Sequence, residues 1–327
     1  MRLVNRLALM LGVVALCLSA SFALAAKDKS KDDQAKDALK IEDLITKGDY
    51  QKAIELAGKF IEAGQVTDGL YVNLGVAHYK LKDYPKAIEA FEKAAELNPF
   101  SAQPLLYEAT CYHEMGQPEK VLETMKRAVA MDPSQNEARY DLAQIYEKAG
   151  NADLAAEQYE AIYAADPGFK DTAFALGLLR FNQGQYDKAQ ACFEKAHELA
   201  PADEQILLAL GQNELKAEKY DQAVETLKKF VEVTQNAAYK PAVLDQIAVA
   251  YEKQTKWADA LAAYEQILAL RPDSDKALLG KGNALIGLKK YDEALPVLKH
   301  FMEVSKNDAK KKLVAETIKQ LEGAKKR

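Results

Sequence analysis

Histidine is the residue best suited to both metal binding and acid–base catalysis, but the spacing of the histidines in this sequence matches no recognisable site. The four histidines are His78, His113, His197 and His300. A zinc site of the HExxH type needs two histidines one helical turn apart, and the pairs His113-Glu114 and His197-Glu198 lack the second one. The sequence also contains no GxSxG, P-loop or GxGxxG motif. We therefore expect no catalytic residue, no metal site and no cofactor.

The elements that would position any functional side chain follow a repeat of fixed length. Between Asp68 and Asp203 the sequence repeats four times with a period of 34 residues. Three sets of residues keep this step: Pro99, Pro133, Pro167 and Pro201; Ala87, Val121, Ala155 and Ala189; and Phe91, Met125, Tyr159 and Phe193. Because each copy contains two helical patterns, which we name helix A and helix B, the period predicts an all-α fold, an α-solenoid of antiparallel helix pairs.

Extended in both directions, the period divides most of the chain into repeats. It predicts eight of them over residues 34–308, at 34–67, 68–101, 102–135, 136–169, 170–203, 204–240, 241–274 and 275–308. The first copy lacks the closing proline and reads as a degenerate cap. The sixth copy has Gln235 where proline belongs, so the loop Thr234–Lys240 is a candidate break or hinge. Residues 309–327 predict a C-terminal capping helix and tail, with Leu313, Val314, Ile318 and Leu321 on one face.

The clearest copy, residues 68–101, resembles the tetratricopeptide repeat. The residues that carry the resemblance are Tyr71, Leu74, Gly75 and His78 in helix A, and Ala87, Phe91, Ala94 and Pro99 in helix B. We expect Gly75 and Ala87 to lie where the two helices cross, and Phe91 to pack against the next helix A. The resemblance implies a right-handed superhelix in which helix A lines a concave groove that binds proteins.

In this family, positions 2, 5, 9, 12 and 13 of each repeat face the groove. The apolar residues that this rule selects as candidate partner-binding residues are Tyr79, Leu106, Tyr140, Phe174, Leu178, Phe181, Leu208 and Leu215. An exposed apolar stripe would dock the side chains of an extended or helical peptide segment. The alternative is that these side chains pack on one another across repeats. No three consecutive repeats supply the carboxylate clamp of chaperone-binding members, so recognition of a chaperone C-terminus is not expected.

Two cysteines follow the N-terminal segment, Cys111 and Cys192, and they lie in different repeats. Stacked helices are spaced by about 8–10 Å, whereas a disulfide requires α-carbons within about 7 Å. We therefore expect two free, mostly buried thiols.

The N-terminus has the pattern of a targeting segment. Arg2 and Arg6 precede an uncharged run from Leu7 to Ala26, which is followed by a charged spacer at residues 27–33. This order predicts a secretory signal peptide, residues 1–26, cleaved after Ala25 or Ala26, and a periplasmic or secreted protein. An uncleaved membrane anchor is the alternative. With cleavage we expect no membrane insertion, and we expect the spacer to be disordered.

The charge of the chain disfavours several partners. The formal net charge is −5, and it falls to −7 without residues 1–26, which contain Arg2 and Arg6 and no acidic residue. An acidic surface does not favour nonspecific binding to nucleic acid or anionic lipid, and a helical-repeat RNA-binding protein would need a basic groove.

The sequence therefore predicts a non-enzymatic scaffold or assembly factor of the periplasm or cell envelope, with a protein or peptide partner. Alternatives are an accessory or regulatory subunit of an envelope enzyme or of a secretion or outer-membrane assembly complex, an enzyme with an unrecognised groove site, and self-association.

Overall fold

The computed structural model of the protein describes residues 39–324. Within this range the chain forms 17 helices, packed as consecutive antiparallel pairs, which confirms the all-α array of helix pairs. The predicted signal peptide, the spacer at 27–33 and the start of the first repeat lie outside the described residues, as does the tail at 325–327.

The helices alternate between A and B along the chain. Helix α1 is described over residues 39–46, and the others are α2 Tyr50–Glu62, α3 Asp68–Lys80, α4 Tyr84–Leu97, α5 Gln103–Glu114, α6 Pro118–Met131, α7 Asn136–Lys148, α8 Ala152–Ala165, α9 Thr172–Asn182, α10 Tyr186–Leu199, α11 Glu204–Lys216, α12 Tyr220–Val233, α13 Lys240–Lys253, α14 Trp257–Leu270, α15 Asp275–Gly287, α16 Tyr291–Val304 and α17 Asp308–Ala324. The odd-numbered helices up to α15 are A helices, the even-numbered ones are B helices, and α17 follows the last pair.

The turn between helix A and helix B has the same backbone conformation in each described repeat. One residue of every such turn has a positive φ: Gly48, Lys82, Gly116, Gly150, Gly184, Glu218, Thr255 and Lys289. Each is the fifteenth residue of its predicted repeat. Only glycine adopts this region without steric penalty, yet four of the eight positions carry a side chain. The packing of the two helices therefore imposes the turn even where the local sequence disfavours it.

Within a repeat, the two helices approach closely at a small residue of helix A. A Cβ atom added to Gly75 would lie 2.5 Å from the ring of Phe91, so only glycine fits there. The same ring stacks on Tyr107 of the next helix A, with ring centroids 5.1 Å apart. Ala87, on helix B of the same repeat, is fully buried. The expected close approach at Gly75 and the expected packing of Phe91 are thus confirmed, and Ala87 is buried in the same cluster.

The chain forms two compact units. Unit 1 ends at Gln158 and unit 2 begins at Tyr159, so the division falls within α8. The core of unit 1 includes a cluster around Phe91 and Tyr107, and that of unit 2 includes a large cluster formed by residues of α11 to α15.

The irregular loop after α12 is tied to the start of its own repeat. The Thr234 hydroxyl donates a hydrogen bond of 2.9 Å to Oε2 of Glu204, and the backbone N–H of Gln235 donates one of 3.2 Å to Oε1 of the same carboxylate. Thr234 is buried. Two hydrogen bonds to Glu204 therefore hold this loop, which lacks the closing proline.

The terminal helix packs by a narrower stripe than the sequence predicts. Val314 is buried, and Ile318 and Leu321 are half-buried against the last helix pair. Leu313 is instead 67% exposed, so its assignment to the packed face is wrong. Successive residues of an α-helix are rotated by about 100°, which turns Leu313 away from the line that Val314, Ile318 and Leu321 share.

Candidate partner-binding site

In unit 1 the predicted groove residues are largely covered by neighbouring side chains. Tyr79 is half-buried, with its ring centroid 5.7 Å from that of Tyr84. Leu106 is half-buried against a small core cluster. Tyr140 is 2% exposed. Its side chain belongs to the core of unit 1 and offers no surface to a partner, contrary to the exposed stripe that the sequence predicts.

In unit 2 the predicted residues are more accessible. Leu178 is 37% exposed. Phe181 is half-buried, and its ring meets Tyr186 edge-on at 5.7 Å. Leu208 and Leu215 are half-buried against the large core cluster. Phe174 is also half-buried, but it packs against two core clusters, and its ring lies 6.0 Å from that of Phe193.

A pocket of about 450 Å³ lies on the A-helix side of unit 2. Its lining comes from three consecutive A helices, α9, α11 and α13, and from the first residue of α12. The lining residues are Phe181, Gln212, Leu215, Lys216, Tyr220, Asp245, Gln246, Val249, Ala250 and Lys253. The structure thus brings together two of the eight predicted residues, Phe181 and Leu215.

Sequence reasoning missed most of this lining, although the signal was present. Asp245, Val249 and Lys253 occupy positions 5, 9 and 13 of the repeat 241–274, the same positions that select Leu208, Gln212 and Lys216 one repeat earlier. Applying the positional rule one repeat further along the chain would have found them. Val249 is 36% exposed and provides accessible apolar surface in the pocket.

The ionic groups of the pocket leave an excess of positive charge. Asp245 is bound by the ammonium group of Lys276 at 2.6 Å, and its side chain is 14% exposed. Neither Lys216 nor Lys253 forms an ion pair with any residue that the structure describes. Both are exposed. The pocket therefore combines an apolar wall with two uncompensated lysines.

Two glutamines add hydrogen-bonding capacity beside the apolar wall. Gln212 and Gln246 both line the pocket. The Oε1 atom of Gln246 is buried and accepts no hydrogen bond from the described residues. A buried acceptor without a donor is unfavourable, so a ligand that brings an N–H group would relieve it.

The described residues contain no arrangement suited to catalysis by a metal or a thiolate. No group of three His, Cys, Asp or Glu side chains in residues 39–324 could hold a metal ion. Cys111 and Cys192 are free and buried, as expected. Burial raises the pKa of the Cys111 thiol to about 12 and that of Cys192 to about 11, which keeps both protonated. Burial also lowers the pKa of His78. Among the described helices, none has the length and apolar composition to cross a bilayer.

Comparison with known families covers both units. Two tetratricopeptide repeat models match, one at residues 70–101 and the other at residues 112–168 and 246–299. A model of the anaphase-promoting complex, cyclosome, subunit 3 matches residues 149–230. No curated protein matches the sequence.

Two solved structures with TM-scores above 0.5 have the same fold at low sequence identity. The C-terminal part of a TPR repeat-containing protein from Cytophaga hutchinsonii is 23% identical, over 74% of this chain and 98% of that chain, with a TM-score of 0.54. A chain of the Naa15/Naa10 complex bound to HypK-THB is 13% identical, over 88% of this chain and 46% of that chain, with a TM-score of 0.61. YrrB, a TPR protein with an unusual peptide-binding site, is 18% identical, over 56% of this chain and 94% of that chain, with a TM-score of 0.47.

The matched families, the 34-residue period and the close crossing of helix pairs at Gly75, Gly177, Gly211 and Gly282 agree. This chain is a tetratricopeptide repeat protein, with eight helix pairs and one terminal helix within its described residues.

Proposed function

We propose that this protein is a non-enzymatic scaffold that binds an extended peptide segment of a partner protein in the pocket of unit 2. Tetratricopeptide repeat proteins typically bind proteins or peptides. The observation that carries the proposal is the pocket itself, where three consecutive A helices leave Val249 and Phe181 accessible.

The lining suits an extended peptide in two respects. Apolar side chains of the segment would contact Phe181, Leu215 and Val249, and burial of apolar surface supplies most of the favourable free energy of such contacts. Backbone groups of the segment would meet the side-chain amides of Gln212 and Gln246. The pocket volume of about 450 Å³ falls within the usual range for binding pockets, roughly 300–1,000 Å³.

The test begins with a photo-reactive residue in place of Val249, in the full chain expressed in its own host. The matched control replaces Val233, which is 37% exposed at the end of α12 and does not line the pocket. The segment that is cross-linked only at position 249 is identified by mass spectrometry and synthesised as a peptide. Its affinity is then measured for the wild type, Val249→Gln and Val233→Gln.

We expect Val249→Gln to weaken binding about tenfold, a loss of about 1.4 kcal/mol, and Val233→Gln to leave it unchanged. Circular dichroism melts of both variants check that folding is intact. Equal cross-linking at the two positions, or equal binding by the two variants, would show that the pocket is not the binding site.

Export is a second part of the proposal. The basic start, apolar run and small residues before Lys27 support secretion with removal of residues 1–26. N-terminal sequencing of the protein purified from its host should find Ala26 or Lys27 as the first residue. An intact Met1 in a membrane fraction would instead support the uncleaved anchor.

A further inference from the structure

The charge of the pocket indicates what kind of segment fits it. We infer that the segment bound in unit 2 carries an acidic side chain next to its apolar anchor residue. This inference rests on the proposed function and adds the chemistry of the ligand. Its basis is the contrast between an acidic chain, with a net charge of −5, and a pocket whose uncompensated charges are both positive.

The two lysines are placed to act together. Lys216 and Lys253 occupy position 13 in consecutive repeats, in the last turns of α11 and α13. The C-terminal end of a helix is a favourable place for a positively charged side chain. Asp245, the acidic residue in the lining, is already bound to Lys276 at 2.6 Å. An incoming carboxylate therefore meets two free ammonium groups and no uncompensated negative charge within the lining.

The apolar wall lies beside these lysines along the same helices. Leu215 immediately precedes Lys216, and Val249 lies one helical turn before Lys253. An apolar side chain against Val249 would thus be flanked by positive charge on two sides. Aspartate or glutamate next to the anchor residue satisfies both features at once.

The carboxylate belongs to a side chain within the segment rather than to a free C-terminus. The lining includes Phe181 on α9 as well as residues of α11 and α13, so an extended occupant continues from the two lysines to α9. The exposed Leu178 on α9 continues the apolar surface on one side of the pocket. Nucleic acid is disfavoured as the occupant because its affinity depends on many phosphate contacts, whereas the lining offers two uncompensated lysines.

The experiment is a selection of random dodecapeptides displayed on phage and fused through their C-termini, which removes the free carboxylate. The immobilised bait is the full chain in four forms. These are the wild type, Val249→Gln, the double variant Lys216→Gln/Lys253→Gln, and the control Lys188→Gln/Lys306→Gln. Lys188 and Lys306 are exposed, lie outside the pocket and form no ion pair with described residues.

We expect the wild type and the control to select peptides with aspartate or glutamate adjacent to an apolar residue, and the Lys216/Lys253 variant to lose that enrichment. A selected peptide should bind the wild type about tenfold more weakly after its acidic residue is changed to the amide, and its affinity should fall with added salt.

Two failures are distinguishable. Peptides that bind the wild type but not Val249→Gln, and that show no acidic enrichment, would overturn the inference and leave the proposed function intact. Selection that is unaffected by Val249→Gln, or a selection without binders, would overturn both. A parallel selection uses a library of peptides with free C-termini. If peptides are enriched only in that library, the lysines bind a terminal carboxylate and the inference is wrong.

Discussion

The inner faces of units 1 and 2 have the same backbone pattern but different accessibility. At position 9 of the repeat, Thr110 of unit 1 is 4% exposed, whereas Leu178 and Val249 of unit 2 are exposed by more than a third. At position 5, Val72 and Tyr140 of unit 1 are buried and Leu106 is half-buried, while Phe174 and Leu208 of unit 2 are half-buried. Unit 2 therefore exposes more apolar surface than unit 1, most clearly at position 9.

One neighbouring position contributes to the difference. In the repeat 102–135, position 6 holds Tyr107, whose ring stacks on Phe91 within a cluster against which Val76 and Tyr79 also pack. In the repeats 170–203 and 204–240 the same position holds Ala175 and Ala209, whose methyl groups cover less of the neighbouring side chains. The 34-residue repeat thus fixes the backbone position of each residue, whereas the neighbouring side chains determine whether its side chain is buried.

The largest expected effect tests this contrast by truncation. Tyr140→Ala in unit 1 should lower the free energy of unfolding by about 3–5 kcal/mol, because the cavity lies in a close-packed core. Leu178→Ala in unit 2 should lower it by less than about 1 kcal/mol, because much of that side chain already contacts water. Urea denaturation followed by circular dichroism measures both.

Equal losses for Tyr140→Ala and Leu178→Ala would break the comparison. They would mean that the inner face of unit 2 is as much a part of the core as that of unit 1. The same measurement bears on Phe174, whose contacts with Phe193 make it a poor choice for a variant meant to affect binding alone.

A second prediction compares one buried carboxyl group from each unit. Glu214 of unit 2 is buried, and its pKa is raised by that burial. Its Oε1 accepts a hydrogen bond of 3.3 Å from Gln190, while its Oε2 has no partner among the described residues. Since the folded state favours the protonated form, stability is full below the ordinary glutamate pKa and is lost as the pH rises through the raised folded-state pKa. Glu214→Gln cannot ionise, so its advantage over the wild type should grow across that window.

Glu108 of unit 1 provides the control for this effect. It is equally buried and its pKa is also raised by burial, but the guanidinium of Arg127 lies 3.9 Å away and acts in the opposite direction. Glu108→Gln should therefore gain less over the same pH range in thermal melts. A gain for Glu214→Gln that is independent of pH would show that Glu214 ionises in the folded state as freely as in the unfolded chain.

The sequence predicts the helix pairs well because their determinants are local or strictly periodic. Gly75, Ala87 and Phe91 are packed as expected, because a period of 34 residues places the same type of residue at the same contact in successive repeats. The burial of Tyr140 was missed because it depends on surrounding residues that the positional rule does not consider. The exposure of Leu313 was missed because Leu313 and Val314 are adjacent and lie about 100° apart around the helix, so both do not fit one narrow stripe.

The candidate site was less predictable than the fold. Phe181 and Leu215 were selected by position, but whether they border a cavity depends on the residues of three helices at once. The charges of Lys216 and Lys253 are visible in the sequence. Lys276 neutralises Asp245, whereas no described carboxylate neutralises Lys216 or Lys253. This difference depends on side-chain geometry, which the spacing of residues in the sequence does not predict.

A third prediction concerns the ends of the repeats. In unit 1, Asn98 donates a hydrogen bond of 2.7 Å to Asp68, and in unit 2, Thr234 donates one of 2.9 Å to Glu204. Both join position 31 of a repeat to its first residue. Thr234→Val keeps the side-chain shape and removes the donor, so we expect a loss of about 1–2 kcal/mol in the free energy of unfolding.

Hydrogen exchange at the backbone amide of Gln235 tests whether the loss of stability in Thr234→Val arises at this loop. The amide of Gln235 donates to the same Glu204 carboxylate and should exchange faster in Thr234→Val, whereas amides near Asn98 should not change. An unchanged exchange rate at Gln235 would show that the carboxylate holds the loop without the threonine.

The smallest expected effect lies in the turns between helix A and helix B. Three of the four such turns in unit 1 use glycine at the positive-φ position, while in unit 2 only Gly184 does. Thr255, with φ of 57°, is the most strained case because its side chain is β-branched. Thr255→Gly should raise the free energy of unfolding by about 0.5–1 kcal/mol. This net gain is the strain that is removed minus the cost of the greater backbone entropy of glycine in the unfolded chain.

The reverse change in unit 1, Gly116→Thr, should lower the free energy of unfolding by a similar amount, and thermal melts compare the two. Both residues are in turns at the surface and neither lines the pocket, so peptide binding should be unaffected. If Thr255→Gly is neutral or destabilising while Gly116→Thr is destabilising, the threonine contributes an interaction that offsets its strain. The turns of unit 2 would then owe their stability to side chains, and those of unit 1 to glycine.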